Sequence, residues 1–211
     1  MQIAVLLFDR FTALDAVGPY EVLGRLPGAR TVFVADRTGP VTTDMGSLAL
    51  AATATLDEVT RPDVLVVPGG PGQIARMADA RLLAWLRAVD ATTTWTTSVC
   101  TGSLLLAAAG LLDGRRATSH WLALDQLPAF GALPTAERVV VDGKYVTVAG
   151  VSAGVDMALA LAGRIAGDTV AQTVQLGIEY DPRPPYSAGS PHTAPTPLVA
   201  ALRANPERVL A

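Results

Sequence analysis

Thr94 to Leu112 reads TWTTSVCTGSLLLAAAGLL. A β-like run, Thr94 to Val99, passes at Cys100 directly into an apolar helical run, Thr101 to Leu112, which Asp113-Gly114 stops. A strand joined to a helix without a loop makes a sharp elbow. Such a turn lifts Cys100 clear of the carboxyl edge of a sheet and sets it against the unpaired N–H groups and positive dipole end of the following helix. Both effects favour thiolate over thiol, so an activated sulfur is the expectation. Gly102 fits this reading, because a Cβ two residues after the nucleophile would crowd the turn. The plainer reading of Cys100 is a small buried apolar residue.

Outward from the elbow the same alternation recurs. Gln2 to Phe8 is a continuous apolar strand of the kind buried on both faces of a parallel sheet. Leu14 to Leu26 has helical spacing, with Pro19 tolerable only near the first turn. Thr31 to Ala35 and Asp63 to Pro68 read as strands, the second broken by Gly69-Gly70-Pro71-Gly72, and Asp79 to Ala91 reads as a helix. Arg138 to Asp142 and Lys144 to Val148 form a predicted hairpin across Asp142-Gly143, so the sheet should be mixed at one edge. Ser152 to Ala166 and Asp168 to Tyr180 read as two successive helices. The alternation predicts an α/β helix-sheet-helix sandwich over residues 1–180. Residues 181–211 begin with DPRPPYSAGSPHTAPTP, which holds six of the chain's 15 prolines. That composition predicts an extended arm and a short helix, Leu198 to Ala204, packed on the same domain or on a partner subunit.

Composition sets the limits. Of 211 residues, 50% are apolar and 17% charged, which excludes general disorder. Sixteen basic and 19 acidic residues give a net charge of −3 with no basic block, an argument against nucleic acid as partner. One cysteine permits no internal disulfide, and with two histidines it leaves no Cys/His zinc set. No metal is expected. The N-terminus lacks the basic start and longer apolar core of a leader, and no stretch of about 18 apolar residues occurs, so a cytoplasmic protein off the membrane is expected.

Two further pieces fall at the same sheet edge as Cys100. Gly70 follows a strand, and its N–H together with that of Thr101 can hold negative charge on a reacting atom; an ordinary tight turn is the alternative. Asp15 follows the first strand among Leu14, Ala16 and Val17. Burial and a neighbouring thiolate would raise its pKa and keep it protonated, although a helix N-cap is an equal reading. His120, in RATSHW, can line a substrate pocket or be structural. His192, among Ser190, Pro191 and Thr193, reads as a solvated loop residue.

Asp15, Gly69-Gly70 and SVCTG together make the chain similar to the ThiJ/PfpI superfamily, a class I glutamine amidotransferase-like group with a flavodoxin-like three-layer sandwich. LDAVGPYEVL, VPGGPG, TSVCTGSLLLAAAGLL, RATSHW, GVSAGVDMAL and QLGIEYDPRPPYSAGSPHTAP resemble its isonitrile hydratases. The resemblance implies catalytic roles for Cys100, Asp15 and Thr101, a small isonitrile substrate, no cofactor and a homodimer. Many protease-like or glyoxalase-like members carry His after the cysteine and Glu near strand one, where this chain has Thr101 and Asp15. Without that imidazole, peptidase chemistry has little support. Other relatives fuse the domain to a helix-turn-helix regulator, which is not expected in a chain ending at Ala211. Two rival readings remain: a glyoxalase-like or glycation-related enzyme acting on small α-oxoaldehydes, and a non-catalytic cysteine redox sensor.

Overall fold

The computed structural model describes residues 1–206. Residues 207–211, the last five of the expected arm-and-helix segment, lie outside it. In chain order the elements are β1 (Gln2–Leu6), α1 (Ala13–Leu23), β2 (Arg30–Ala35), β3 (Gly39–Thr42), β4 (Ala49–Ala52), β5 (Ala54–Thr55) and β6 (Val64–Val67). Then follow α2 (Gln73–Arg76), α3 (Ala80–Asp90), β7 (Trp95–Val99), α4 (Gly102–Ala108), β8 (Arg116–Ala117) and, after a 3-10 segment at Leu124–Phe130, β9 (Leu133–Pro134). The chain continues through β10 (Val139–Asp142), β11 (Tyr145–Val148), α5 (Ala153–Ala166), α6 (Asp168–Gly177) and α7 (Thr196–Ala204).

The main sheet runs β10-β11-β7-β6-β1-β2-β5. Every pairing in it is parallel except β10 with β11, so the sheet is mixed at one edge, as the Asp142-Gly143 turn predicted. β1 and β6 are almost wholly buried because parallel strands are covered on both faces by their crossover helices. α1, α5 and α6 pack together, and α3 and α4 form a second group. From β1 the chain steps to β2 on one side, and from β6 it steps to β7 on the other. The crevice beyond the carboxyl ends of β1, β6 and β7 is therefore the topological switch point where open α/β sheets bind ligands.

Several boundaries differ from the sequence reading. Helix α4 is shorter than expected, ending before Gly110, which adopts a left-handed φ of 79°. Pro19 lies in the middle of α1 rather than in its first turn. It is accommodated because it packs on α5 at Gly154, where an added Cβ would come within 3.1 Å of the proline ring. The β3–β4 hairpin, β5 and the β8–β9 pair were not foreseen. The proline-rich stretch has neither helix nor strand from Asp181 to Pro195 and is largely exposed, with Tyr186 at 80%. No helix among the described residues is long and apolar enough to cross a membrane.

Away from the crevice, at the amino edge of β7 and β11, Asp90 ties the sheet to α3. It accepts from Thr96 Oγ1 at 2.7 Å and Tyr145 OH at 2.9 Å and pairs with Lys144 at 3.1 Å. Burial, then the bond to Asp90, pushes Tyr145 up to about 12.

Candidate active site

Cys100 does sit at an elbow, with a φ of 57° that is unusual for a residue with a side chain. Its N–H donates to the carbonyls of Val148 and Ala149 at the end of β11, and its carbonyl accepts from the hydroxyls of Ser103 and Ser119. These bonds hold a strained residue in place. The glycines next to it are needed for close approach. A Cβ on Gly102 would lie 2.7 Å from the Pro68 carbonyl oxygen, and one on Gly69 would lie 2.5 Å from Thr101 N and 3.0 Å from Cys100 Cβ. Gly102 thus makes room for the β6 turn, not only for its own.

Asp15 lies in the first turn of α1, whose N-cap is Thr12, so Asp15 is not the cap. Its carboxyl is fully buried. Oδ2 accepts from Gly69 N–H at 2.9 Å, while Oδ1 has no hydrogen-bond partner among the described nitrogen and oxygen atoms. Burial raises its pKa from 3.8 to about 7 against the opposing Gly69 N–H, with a further upward push from Asp44. The raised acid agrees with the sequence reading; the charge that assists burial is Asp44, while Cys100, as a thiol hydrogen-bonded to the carboxyl, acts in the lowering direction.

The sulfur does not meet the expectation of a stabilised thiolate. Burial, followed by the charge of Asp15, pushes the Cys100 thiol well above its ordinary value, outweighing the N–H groups of Thr101 and Val151 that favour the anion. The dipole of so short a helix does not overcome desolvation. At neutral pH the proton is held by the Cys100–Asp15 pair, and which of the two carries it is a property of the pair.

Gly70 also departs from its expected role. Its N–H donates to Thr101 Oγ1 at 3.0 Å and so is engaged by the protein, not free for a reacting atom. A hydroxyl that accepts there keeps its own proton to donate. Gly70 therefore orients Thr101.

Beside the elbow is a cavity of about 550 Å³ whose walls include Ser119, His120, Trp121, Val151, His192 and Arg203. Cys100 is joined to this wall through the Ser119 hydroxyl bond and the Val151 N–H, and Asp15 reaches it only by way of Cys100. His120 is buried, which pushes its pKa down, and its Nδ1 accepts from Leu122 N–H at 3.3 Å. A neutral ring that accepts at Nδ1 carries its proton on Nε2. His192 is exposed, as expected, yet it lines the same cavity, so both histidines of the chain border it. A second recess of about 600 Å³, lined by Gln2, Arg30 and Glu58, opens at the opposite edge of the sheet, away from the cysteine.

Sequence reasoning missed Val151 and Asp44. The former acts through its backbone N–H, which no side-chain pattern reveals; the latter lies in the turn Thr43-Asp44-Met45-Gly46, away from every strand-to-helix junction that the sequence marks.

The DJ-1/PfpI family model matches residues 1–164, a span that includes Asp15, Gly70, Cys100 and all but the last two residues of α5. The isonitrile hydratase of Pseudomonas putida is 47% identical over 203 residues, covering 96% of this chain and 89% of that one. The HTH-type transcriptional regulator CdhR of Pseudomonas aeruginosa is 36% identical over 165 residues, which cover 76% of this chain but only 48% of the regulator. Among solved structures, a ThiJ/PfpI family protein from Pseudomonas syringae superposes with a TM-score of 0.95 at 44% identity, over 99% of this chain and 87% of that one. A mostly parallel flavodoxin-like sheet, a lone cysteine at the elbow after β7 and a match across both therefore have one source: the chain belongs to the DJ-1/PfpI family.

Proposed function

We propose that this chain hydrates isonitriles, R–N≡C, to N-substituted formamides, acting as a homodimer without a metal or organic cofactor. The observation that supports this best is the pairing of the only cysteine with a buried carboxyl raised to about 7, in a chain 47% identical to an isonitrile hydratase.

The terminal isonitrile carbon accepts both a proton and a nucleophile. In the reactive form the shared proton sits on Asp15 and the sulfur is a thiolate. Sulfur bonds to the carbon as Asp15 protonates it, giving the thioimidate R–N=CH–S–Cys100 and an Asp15 carboxylate. That carboxylate then takes a proton from water. The hydroxide adds to the carbon and the proton passes to nitrogen, forming R–NH–CH(OH)–S–Cys100. As the C–S bond breaks, the hydroxyl proton returns to Asp15, and R–NH–CHO leaves with the pair restored to its starting proton count. Thr101, oriented by Gly70, donates its hydroxyl proton to the water or the developing nitrogen lone pair. His120 presents its Nε2–H to the substrate pocket, and the apolar walls at Trp121 and Val151 take the R group.

The test is isonitrile consumption and formamide formation from cyclohexyl isocyanide. Cys100→Ala and Asp15→Ala are each expected to abolish turnover with an unchanged circular dichroism spectrum; full activity in either variant overturns the mechanism. Methylglyoxal assayed in parallel separates the α-oxoaldehyde reading. The redox-sensor reading loses support from the raised thiol, because rapid peroxide oxidation needs an accessible low-pKa thiolate.

A further inference from the structure

We propose that Asp44 is a positioning residue for the Asp15–Cys100 pair, a second carboxylate that acts from the β3–β4 turn through Thr12 and helps to hold the shared proton on Asp15. The inference rests on the pair chemistry described above.

The geometry is a closed circuit of hydrogen bonds. Thr12 Oγ1 donates to Asp44 Oδ2 at 2.6 Å, and Met45 N–H donates to Asp44 Oδ1 at 2.8 Å. Both partners donate, which suits a carboxylate that accepts only. The turn is fastened to the site backbone as well: Asp44 N–H donates to the Phe11 carbonyl at 2.9 Å, Arg10 N–H to the Thr42 carbonyl at 2.9 Å, and Phe11 bridges Thr43. Thr12 N–H then donates to the Gly69 carbonyl at 2.9 Å, and Gly69 N–H returns to Asp15 Oδ2 at 2.9 Å. Thr12 is also the N-cap of α1, with its carbonyl accepting from Asp15 N–H at 3.1 Å. One threonine thus joins the outer carboxylate to the backbone that places the inner one.

Among the described neighbours of Asp15, Asp44 is the anionic group that raises it. The β6 turn contributes an N–H, and α4 has no charged residue. On α5, which packs along α1, Asp156 is occupied by Arg138 and by Tyr180 OH. Asp9 and Arg10 are exposed on the loop before Thr12. Asp44 raises the basicity of Asp15 and is not among the groups that perturb Cys100. A charge felt by one member of a proton-sharing pair moves the proton toward that member. Asp44 therefore enriches the thiolate–acid form over the thiol–carboxylate form.

The consequence is specific to pH. With Asp15 already protonated, the ionisation of Cys100 does not depend on Asp44, so wild type and Asp44→Asn should coincide at pH 5. Above the Asp15 transition the variant holds less thiolate. Its acid limb should move down by roughly half a pH unit and its plateau should fall about threefold. The experiment measures the rate of Cys100 alkylation by iodoacetamide and kcat/KM for cyclohexyl isocyanide from pH 5 to 9. Thr12→Val, which leaves the charge but removes its holder, should fall between the two profiles, and Thr12→Ser should restore the wild-type profile. If Asp44→Asn does not fold, the Thr12 pair decides alone. Profiles that superimpose, or that are scaled equally at every pH, overturn the inference. Divergent alkylation profiles in a protein that consumes no isonitrile would sustain the role of Asp44 and reject the proposed substrate.

Discussion

At Cys100 the decisive quantity is the room around the elbow. The residue has a left-handed φ and its carbonyl holds two hydroxyls, so the sulfur is placed by a backbone that has little freedom to relax. Gly102 sets the approach of β6 to α4. Gly102→Ala would drive a methyl group into the carbonyls of Val67 and Pro68, and neither backbone segment can move without displacing Gly69 or Thr101. The expected cost is about 2 kcal/mol or more in denaturant unfolding. Turnover should fall further than stability alone explains, since displacement of a catalytic group by about 1 Å can cost a hundredfold. A Gly102→Ala enzyme with wild-type kcat would show that the close approach is not needed.

At the scale of elements, the sheet separates chemistry from reinforcement. The carboxyl ends of β1, β6 and β7 hold the site, while the amino ends of β7 and β11 are tied to α3 by Asp90. Asp90→Ala would leave Thr96, Tyr145 and Lys144 without their shared acceptor in a buried place. About 3 kcal/mol of stability should be lost, a fall of roughly 6–12 °C in Tm for a chain of this length. The alkylation rate of Cys100 at 25 °C should stay unchanged, because the two sites are at opposite edges. The same contrast explains what could be read in advance. The long apolar runs of β1, β6 and the elbow, and the Asp142-Gly143 turn, announce themselves through pattern alone. The β3–β4 hairpin does not: GPVT and ALAA are short and half-exposed, the first opens with Gly-Pro and the second has no β-branched residue. That hairpin bears Asp44, so the part of the site outside the sheet was hidden along with it. Cys100 and Thr101 were legible because they fall where β7 ends, and Asp15 because it lies among apolar residues at the start of the helix that follows β1, whereas the Val151 N–H and the diversion of Gly70 N–H to Thr101 depend on three-dimensional approach.

Across the whole molecule, placing Asp15 in the core opposes stability as pH rises. A carboxyl whose folded pKa is raised binds more protons in the native chain than in the unfolded one between its two pKa values. Its stabilising contribution is fully present below the ordinary 3.8 and is lost as pH climbs to about 7, a span equivalent to roughly 4 kcal/mol. Above that range the penalty is constant. Asp15→Asn keeps an acceptor for Gly69 N–H, adds donors at the position where Oδ1 stood without a partner, and cannot ionise. The variant should therefore be inactive yet more stable than wild type at pH 8, by up to about 4 kcal/mol in denaturant unfolding, with the advantage shrinking toward zero near pH 4. The difference between the two proteins is the measurement, since other carboxylates titrate alike in both. A constant offset across pH 4 to 8 would mean that Asp15 is not held as an acid in the fold. A gap that opens between pH 4 and 7 would show that the sheet retains, at the expense of its own stability, a carboxyl kept ready to give up a proton.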